Sequence, residues 1–248
     1  MERGPNLQQD LQALILRWRR FPFVYTADIE TFYREVRIQE QDQHLQRILW
    51  RDSEEDKIKE YQPCTVTYGT KAAPFLAMRT IKQLIYDDGA QYPLAAEILQ
   101  SQLYVDDLLA GSYDLQQAKA TQQQLIDLLK QGGFNLRKWA SNDKRLLEDL
   151  KPDQISQNMI DFKHTETNKT LGVMWNPSTD QFTFHHPVEI TNECTTITKR
   201  SLLSQLSKRY DPLGWLSPAT IKAKLIFQQL WTTNLNWDDP VPQNVQKQ

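Results

Sequence analysis

The sequence predicts an α+β fold: short strands and hairpins interleaved with helices, followed by a helical region. Three observations carry this. Short strand-like runs alternate with segments of helical period through the first two thirds of the chain. Two apolar runs meet at Asp106-Asp107 in the manner of a hairpin. From Thr198 onward the pattern becomes two helices, with basic residues on both.

Taken in order, Leu7 to Arg20 has apolar residues at 11, 14, 15 and 18, a helical spacing. Phe21 to Tyr25 is extended and feeds a strand that runs to Asp28. Val36 with Ile38, and Ile48 with Trp50, predict two further short strands, and Thr65-Val66-Thr67-Tyr68 a third, broken by Gly69. Pro74 suits the first turn of a helix whose period holds to about Tyr86. A helix over Pro93 to Gln100 precedes the hairpin made by Gln102 to Val105 and Leu108 to Ala110, with the acids at its tip. Asp114 caps the next helix, which stops at Gly132-Gly133, and Phe134-Asn135-Leu136 alternates as a strand. Leu171 to Trp175 and Phe182 to Phe184 read as a second hairpin, turned by Asn176 to Asp180. Helices over Lys199 to Tyr210 and Pro218 to Trp231 close the pattern. A domain boundary is placed near residue 190, giving domains 1–190 and 191–240 and a tail, 241–248, expected to be disordered.

Composition narrows the class. With 248 residues, 40% of them apolar and 24% charged, the chain is not a peptide, a disordered tail or a fibre. No apolar run approaches the roughly 20 residues of a membrane span, and Met1 to Pro5 is no secretory leader, so a soluble, intracellular protein is expected. Cys64 and Cys194 frame no disulfide scaffold and have no second ligand at a zinc spacing. The net charge of -2 is segregated: Cys194 to Trp231 holds six Lys or Arg against Asp211 alone, while Gln39 to Glu60 holds seven acids against four bases. A phosphate-binding surface is therefore expected at the C-terminal helices and around Arg17, Arg19 and Arg20.

Three acidic pairs occur, Asp87-Asp88, Asp106-Asp107 and Asp238-Asp239. The first reads as a solvated helix end and the last as a solvated turn beside Pro240. Asp106-Asp107 alone has strand-forming neighbours on both sides. Two acids there repel one another unless a cation sits between them, which points to a hard divalent ion, with Asp28 at the end of a neighbouring strand as a third carboxylate.

Ala27-Asp28-Ile29-Glu30, then Tyr68 to Phe75, then Tyr104-Val105-Asp106-Asp107 stand in the order of reverse transcriptase motifs A, B and C. Leu171-Gly172-Val173-Met174-Trp175 resembles the primer grip. Arg137 to Asn142, Asp211 to Gly214 and Leu216 to Pro218 resemble the Pol polyprotein of BEL/Pao long-terminal-repeat retrotransposons, and the resemblance runs from about Gly4 to Pro240. It implies a right-hand polymerase palm, an antiparallel sheet with helices on one face, with partial fingers over 1–190, followed by a helical thumb or connection-like region, and RNA-directed DNA synthesis.

The resemblance also implies the site. Asp28, Asp106 and Asp107 are the catalytic acids; with the Ile29 carbonyl they would hold two Mg²⁺ ions, for which Mn²⁺ can substitute. Tyr33 would lie under the incoming sugar, and Tyr68, Gly69, Lys71 and Lys138 would meet the nucleotide. Either Arg137 or Lys138 would be the base that protonates pyrophosphate. Tyr104, Val105, Leu171, Gly172, Met174, Trp175, Lys208, Arg209, Lys222 and Lys224 would contact primer and template. The implied partners are an RNA or DNA template with its primer, dNTPs, and the rest of Pol: fingers, ribonuclease H and integrase. The implied location is cytoplasmic, in a virus-like particle, or nuclear.

The fingers are expected to lie mainly upstream of this segment and ribonuclease H beyond it. A family label of Pao retrotransposon peptidase attaches to the C-terminal region, yet the chain has no Asp-Thr-Gly or Asp-Ser-Gly of an aspartic protease. Against the polymerase stands a catalytically inactive retroelement remnant, or a domesticated protein that keeps the fold to bind nucleic acid or a partner. A generic Mg²⁺ phosphohydrolase explains neither the Tyr68 to Phe75 block nor the basic helices.

Overall fold

The computed structural model describes residues 2–156, 160–161, 173–184, 196–207, 211 and 213–246. The chain forms two compact units, Met1–Gln157 and Asn158–Gln248. The second hairpin pairs with a strand of the second unit.

In the first unit, helix α1 (Leu11–Trp18) is capped by Asp10, whose carboxylate accepts from the Ala13 amide, a bond worth about 1 kcal/mol. It leads into β1 (Phe23–Ile29). A short helix α2 (Glu40–Gln43) precedes an exposed hairpin of β2 (Ile48–Trp50) and β3 (Lys59–Tyr61). Then come α3 (Ala73–Asp88), α4 (Pro93–Ser101), β4 (Leu103–Tyr104), β5 (Asp107–Ser112), α5 (Leu115–Gln131) and β6 (Leu136–Ser141). Four strands form one antiparallel sheet in the order β4-β5-β1-β6. The α+β class is as expected. The strands foreseen at Val36-Ile38 and Thr65-Tyr68 do not form; a single bridge joins Arg37 to Thr65, and the partner of Ile48 to Trp50 is Lys59–Tyr61.

Alternation along β1 explains how the sheet is used. Tyr25, Ala27 and Ile29 join Leu108 and Ala110 of β5 in the cluster packed with α3, α4 and α5. Val24, Thr26 and Asp28 therefore point to the opposite face, as do Asp107 and Leu109. At the end of α5 the turn needs Gly133, whose φ of 79° is the left-handed conformation that glycine adopts without steric cost.

In the second unit, β7 (Ile160–Asp161), β8 (Val173–Asn176) and β9 (Gln181–Phe184) form a three-stranded antiparallel sheet, and α6 (Lys199–Ser207), α7 (Ser217–Trp231) and α8 (Gln243–Gln246) follow. The tail expected to be disordered is held at its start. Val241 is buried, its amide donates to the Ile197 carbonyl, and α8 follows, because an apolar side chain there gains burial that a solvated tail would forgo. Among the described residues no helix is long and apolar enough to cross a membrane.

Candidate active site

Asp28 and Asp107 are directly opposed Cα partners in β1 and β5. Asp107 also pairs with Tyr104 across β4 and β5, so the turn between those strands is the two residues Val105 and Asp106. This corrects the picture of both acids at the tip: Asp106 is in the turn and Asp107 is the first residue of the strand. The Ile29 amide donates to the Asp106 carbonyl at 2.9 Å, which ties the end of β1 to the turn.

The turn is strained. Val105 has φ of 55°. A positive φ at the first of two turn residues suits glycine, and a β-branched side chain there is a genuine outlier, with a cost of about 1–3 kcal/mol. Such strain persists where the surroundings fix it; here a paired strand holds each end of the turn.

A second strained residue lies beside the first. The register of β1 against β6 shifts between Thr26, opposite Ala140, and Asp28, opposite Arg137, so that Lys138 and Trp139 together face Ala27. This is a β-bulge, and Lys138 occupies it with φ of 53°. Strict alternation would send Lys138 to the side of Leu136, into the core. The extra residue keeps Lys138 outside and returns Trp139 to full burial. The Lys138 ammonium then reaches the Asp28 carboxylate, Nζ to Oδ2 3.0 Å. Partial burial works against its charge, but the hydrogen bond to Asp28 and the charges of Asp28, Asp107 and Asp106 outweigh it and raise the lysine pKa. Arg137 instead pairs with Glu30 at 2.8 Å. Of the two bases left open by the sequence, Lys138 is the one turned to the acids.

The donor set suits a hard divalent ion, since the oxygen donors are carboxylates and their combined field already stabilises a cation at Lys138. Among the described residues, however, no three His, Cys, Asp or Glu side chains stand close enough together to form a ready ligand set.

The remaining expected residues divide. Tyr33 is half-buried in a short 3₁₀ turn, Phe32–Glu35, with Phe32 in the core beneath it. Gly69 has φ of 81°, and a Cβ placed on it would meet open space. Tyr68 and Lys71 are exposed nearby in sequence, and Tyr104 is buried. Lys71 and Val105 together line a small cavity, about 80 Å³, closed by Arg3 to Gln8 and Phe75. Asp87 ends α3 and accepts a hydrogen bond from Gln83.

In the second unit Trp175 is fully buried and its indole N–H donates to Asp180, which makes it the anchor of its hairpin. Met174 is half-buried, while Leu171, Gly172, Lys208 and Arg209 lie outside the described residues. Two cations of the expected surface have partners within the unit. Lys199 is buried, donating to the Thr233 and Leu235 carbonyls, and Arg200 forms two hydrogen bonds with Asp238. Lys222 and Lys224 are exposed, but residues two apart on a helix do not share a face. In the first unit Arg19 and Arg20 lie over the Trp18 and Phe21 rings, and Arg17 donates to the Ala13 carbonyl.

Residues 198–248 match the family model of the Pao retrotransposon-like RNaseH-like domain. That match supports an origin in a BEL/Pao retrotransposon Pol. It gives the Pao-type segment an RNaseH-like rather than a peptidase description, over residues where a thumb was expected and ribonuclease H was not. No curated protein matches the chain.

Sequence reasoning missed the bulge at Lys138 and the strain at Val105. A signal for the first was present: Leu136-Arg137-Lys138-Trp139 places two cations between apolar residues, a break in period-two alternation that a bulge repairs.

Proposed function

We propose that residues 1–190 are the palm, with partial fingers, of a Pao-type retrotransposon reverse transcriptase, an RNA-directed DNA polymerase that transfers a nucleotide to a primer 3′-hydroxyl. The observation that carries this reading is the register that sets Asp28 opposite Asp107, with Asp106 in the adjoining turn and Lys138 aimed at the same acids. Asp28, Asp106, Asp107 and the Ile29 carbonyl would hold two Mg²⁺ or Mn²⁺ ions. Bound there, such ions lower the pKa of the attacking hydroxyl and neutralise charge on the triphosphate.

The chain's own groups do the rest. Lys138, an ammonium paired with Asp28 beside the acid site, is the group placed to supply a proton to the departing pyrophosphate. The Tyr33 ring occupies the volume that a ribose 2′-hydroxyl would need. Gly69, with no side chain in open space, lets backbone approach the nucleotide, and Tyr68 and Lys71 border it. Tyr104 and Val105 fix the turn against which the primer end is placed. The helical region 191–240 largely overlaps residues 198–248 and is read with the RNaseH-like family they match rather than as a thumb; the internal engagement of Lys199 and the pairing of Arg200 with Asp238 support this.

Primer extension on poly(rA)/oligo(dT) tests the reading. Extension in Mg²⁺ that is lost on chelation and in Asp106→Asn is expected from a Pol segment that carries the full fingers, and little or none from a segment with partial fingers, which should still bind primer-template. Extension that survives Asp106→Asn would overturn the site, and no extension by the fingers-containing wild type in either Mg²⁺ or Mn²⁺ would favour the inactive remnant.

A further inference from the structure

Asp28 and Asp107 face each other at one end of the two inner strands, with Asp106 in the adjoining turn, yet the three do not stand as a ready metal ligand set; a lysine is already paired with Asp28. The contact is built in several ways. Lys138 adopts a left-handed conformation that disfavours any side chain, φ 53°, and does so inside a bulge that reverses where the strand would otherwise send it. Asp28 is held opposite Asp107, and the Ile29 amide fixes the neighbouring turn. The Asp28 side chain is 22% exposed and that of Lys138 68%, so the carboxylate is the fixed partner and the ammonium the one able to leave.

We infer that Lys138 is a built-in counter-ion of the acid site, occupying Asp28 in the metal-free chain, and that a divalent ion binds there by displacing the lysine. The inference rests on the polymerase-site reading and adds a resting state to it. Asp28 faces a like charge on the adjacent strand, and before an ion arrives the bulge supplies Asp28 with a cation from the chain itself. Displacement also gives Lys138 its second partner, because an ammonium released from Asp28 beside a bound triphosphate finds phosphate oxygens as its nearest anions. The same residue then balances charge before the reaction and meets the leaving group during it.

The test is Mn²⁺ binding to the whole chain, without nucleotide or nucleic acid, followed by the paramagnetic resonance signal of free Mn²⁺. Lys138→Gly removes the ammonium and suits the positive φ, so it should fold; Lys138→Met removes the charge while keeping bulk, and Lys138→Arg keeps the charge. Lys138→Gly and Lys138→Met should bind Mn²⁺ tighter than wild type, by up to about fivefold, the scale of a half-exposed ion pair. Lys138→Arg should stay near wild type. Equal affinity of wild type and both neutral variants would overturn the inference while leaving the acid site intact. Binding in Lys138→Gly that is unchanged by a further Asp28→Asn would overturn the acid-site reading itself.

Discussion

Asp28 and Asp107 stand directly opposite each other on neighbouring antiparallel strands, on the sheet face turned away from α3, α4 and α5. Like charges in that relationship destabilise a sheet. Asp107→Asn should therefore raise the stability of the metal-free chain, by up to about 1 kcal/mol, while abolishing polymerisation. Asp87→Asn, at the end of α3, should leave the polymerisation rate within a few-fold. Urea melts and primer extension on the two variants check this; equal loss of activity in both would refute the assignment.

The Val105 turn makes a separate expectation. Relief of a left-handed valine gains about 1–3 kcal/mol, against about 0.5–1 kcal/mol for the added freedom of glycine in the unfolded chain. Val105→Gly should leave stability unchanged or raise it by up to about 2 kcal/mol, whereas Val105→Ala keeps the strain and gains nothing. Thermal melts of both variants decide it, and a less stable Val105→Gly would show that the valine side chain's packing outweighs the strain.

What was legible in the sequence followed from local pattern. The run of apolar residues at helical spacing in α3 and α5, the Asp114 cap, whose carboxylate accepts from the Gln117 amide, and the Gly133 stop are each written within a few residues. The acids were legible as types with strand-forming neighbours. Their arrangement was not, because it depends on pairings between distant segments: Asp28 with Asp107, and Asp28 with Arg137 across the bulge. The partners of Lys199 and Arg200 were not legible for the same reason. Charge along α6 says nothing of the Thr233 and Leu235 carbonyls that bury Lys199, or of Asp238, which takes Arg200.

Acid should expose the role of Asp143. Its hydrogen bond from the Arg145 guanidinium, with that side chain's charge, holds the carboxyl below its ordinary 3.8 although burial opposes this. A depressed folded pKa means stability that is fully present above the ordinary value and lost as pH falls through the lowered one. Asp143→Asn should lower stability at neutral pH and flatten its fall below about pH 4, as measured by urea midpoints across that range. An unchanged acid slope would mean that this pair, at the surface, contributes nothing measurable.

Sugar choice tests the end of β1. Phe32 is 3% exposed, with its ring centroid 5.7 Å from that of Phe134, whereas Tyr33 is half-buried at the edge of the same cluster. If the Tyr33 ring lies beneath the incoming deoxyribose, a ribonucleotide must displace it or bury an unpaired hydroxyl, at roughly 1 to 3 kcal/mol. Tyr33→Ala should then incorporate rNTPs more readily, on the order of tenfold or more, since 1.4 kcal/mol is one decade in rate. Phe32→Ala should instead cost about 3–5 kcal/mol of stability through the cavity it leaves, with no change in the dNTP to rNTP ratio. Single-nucleotide incorporation with each triphosphate, beside a urea melt of each variant, separates the two. Relaxed sugar selection in Phe32→Ala and not in Tyr33→Ala would shift the register of the site by one residue, and Asp28 would no longer be the acid it is taken to be.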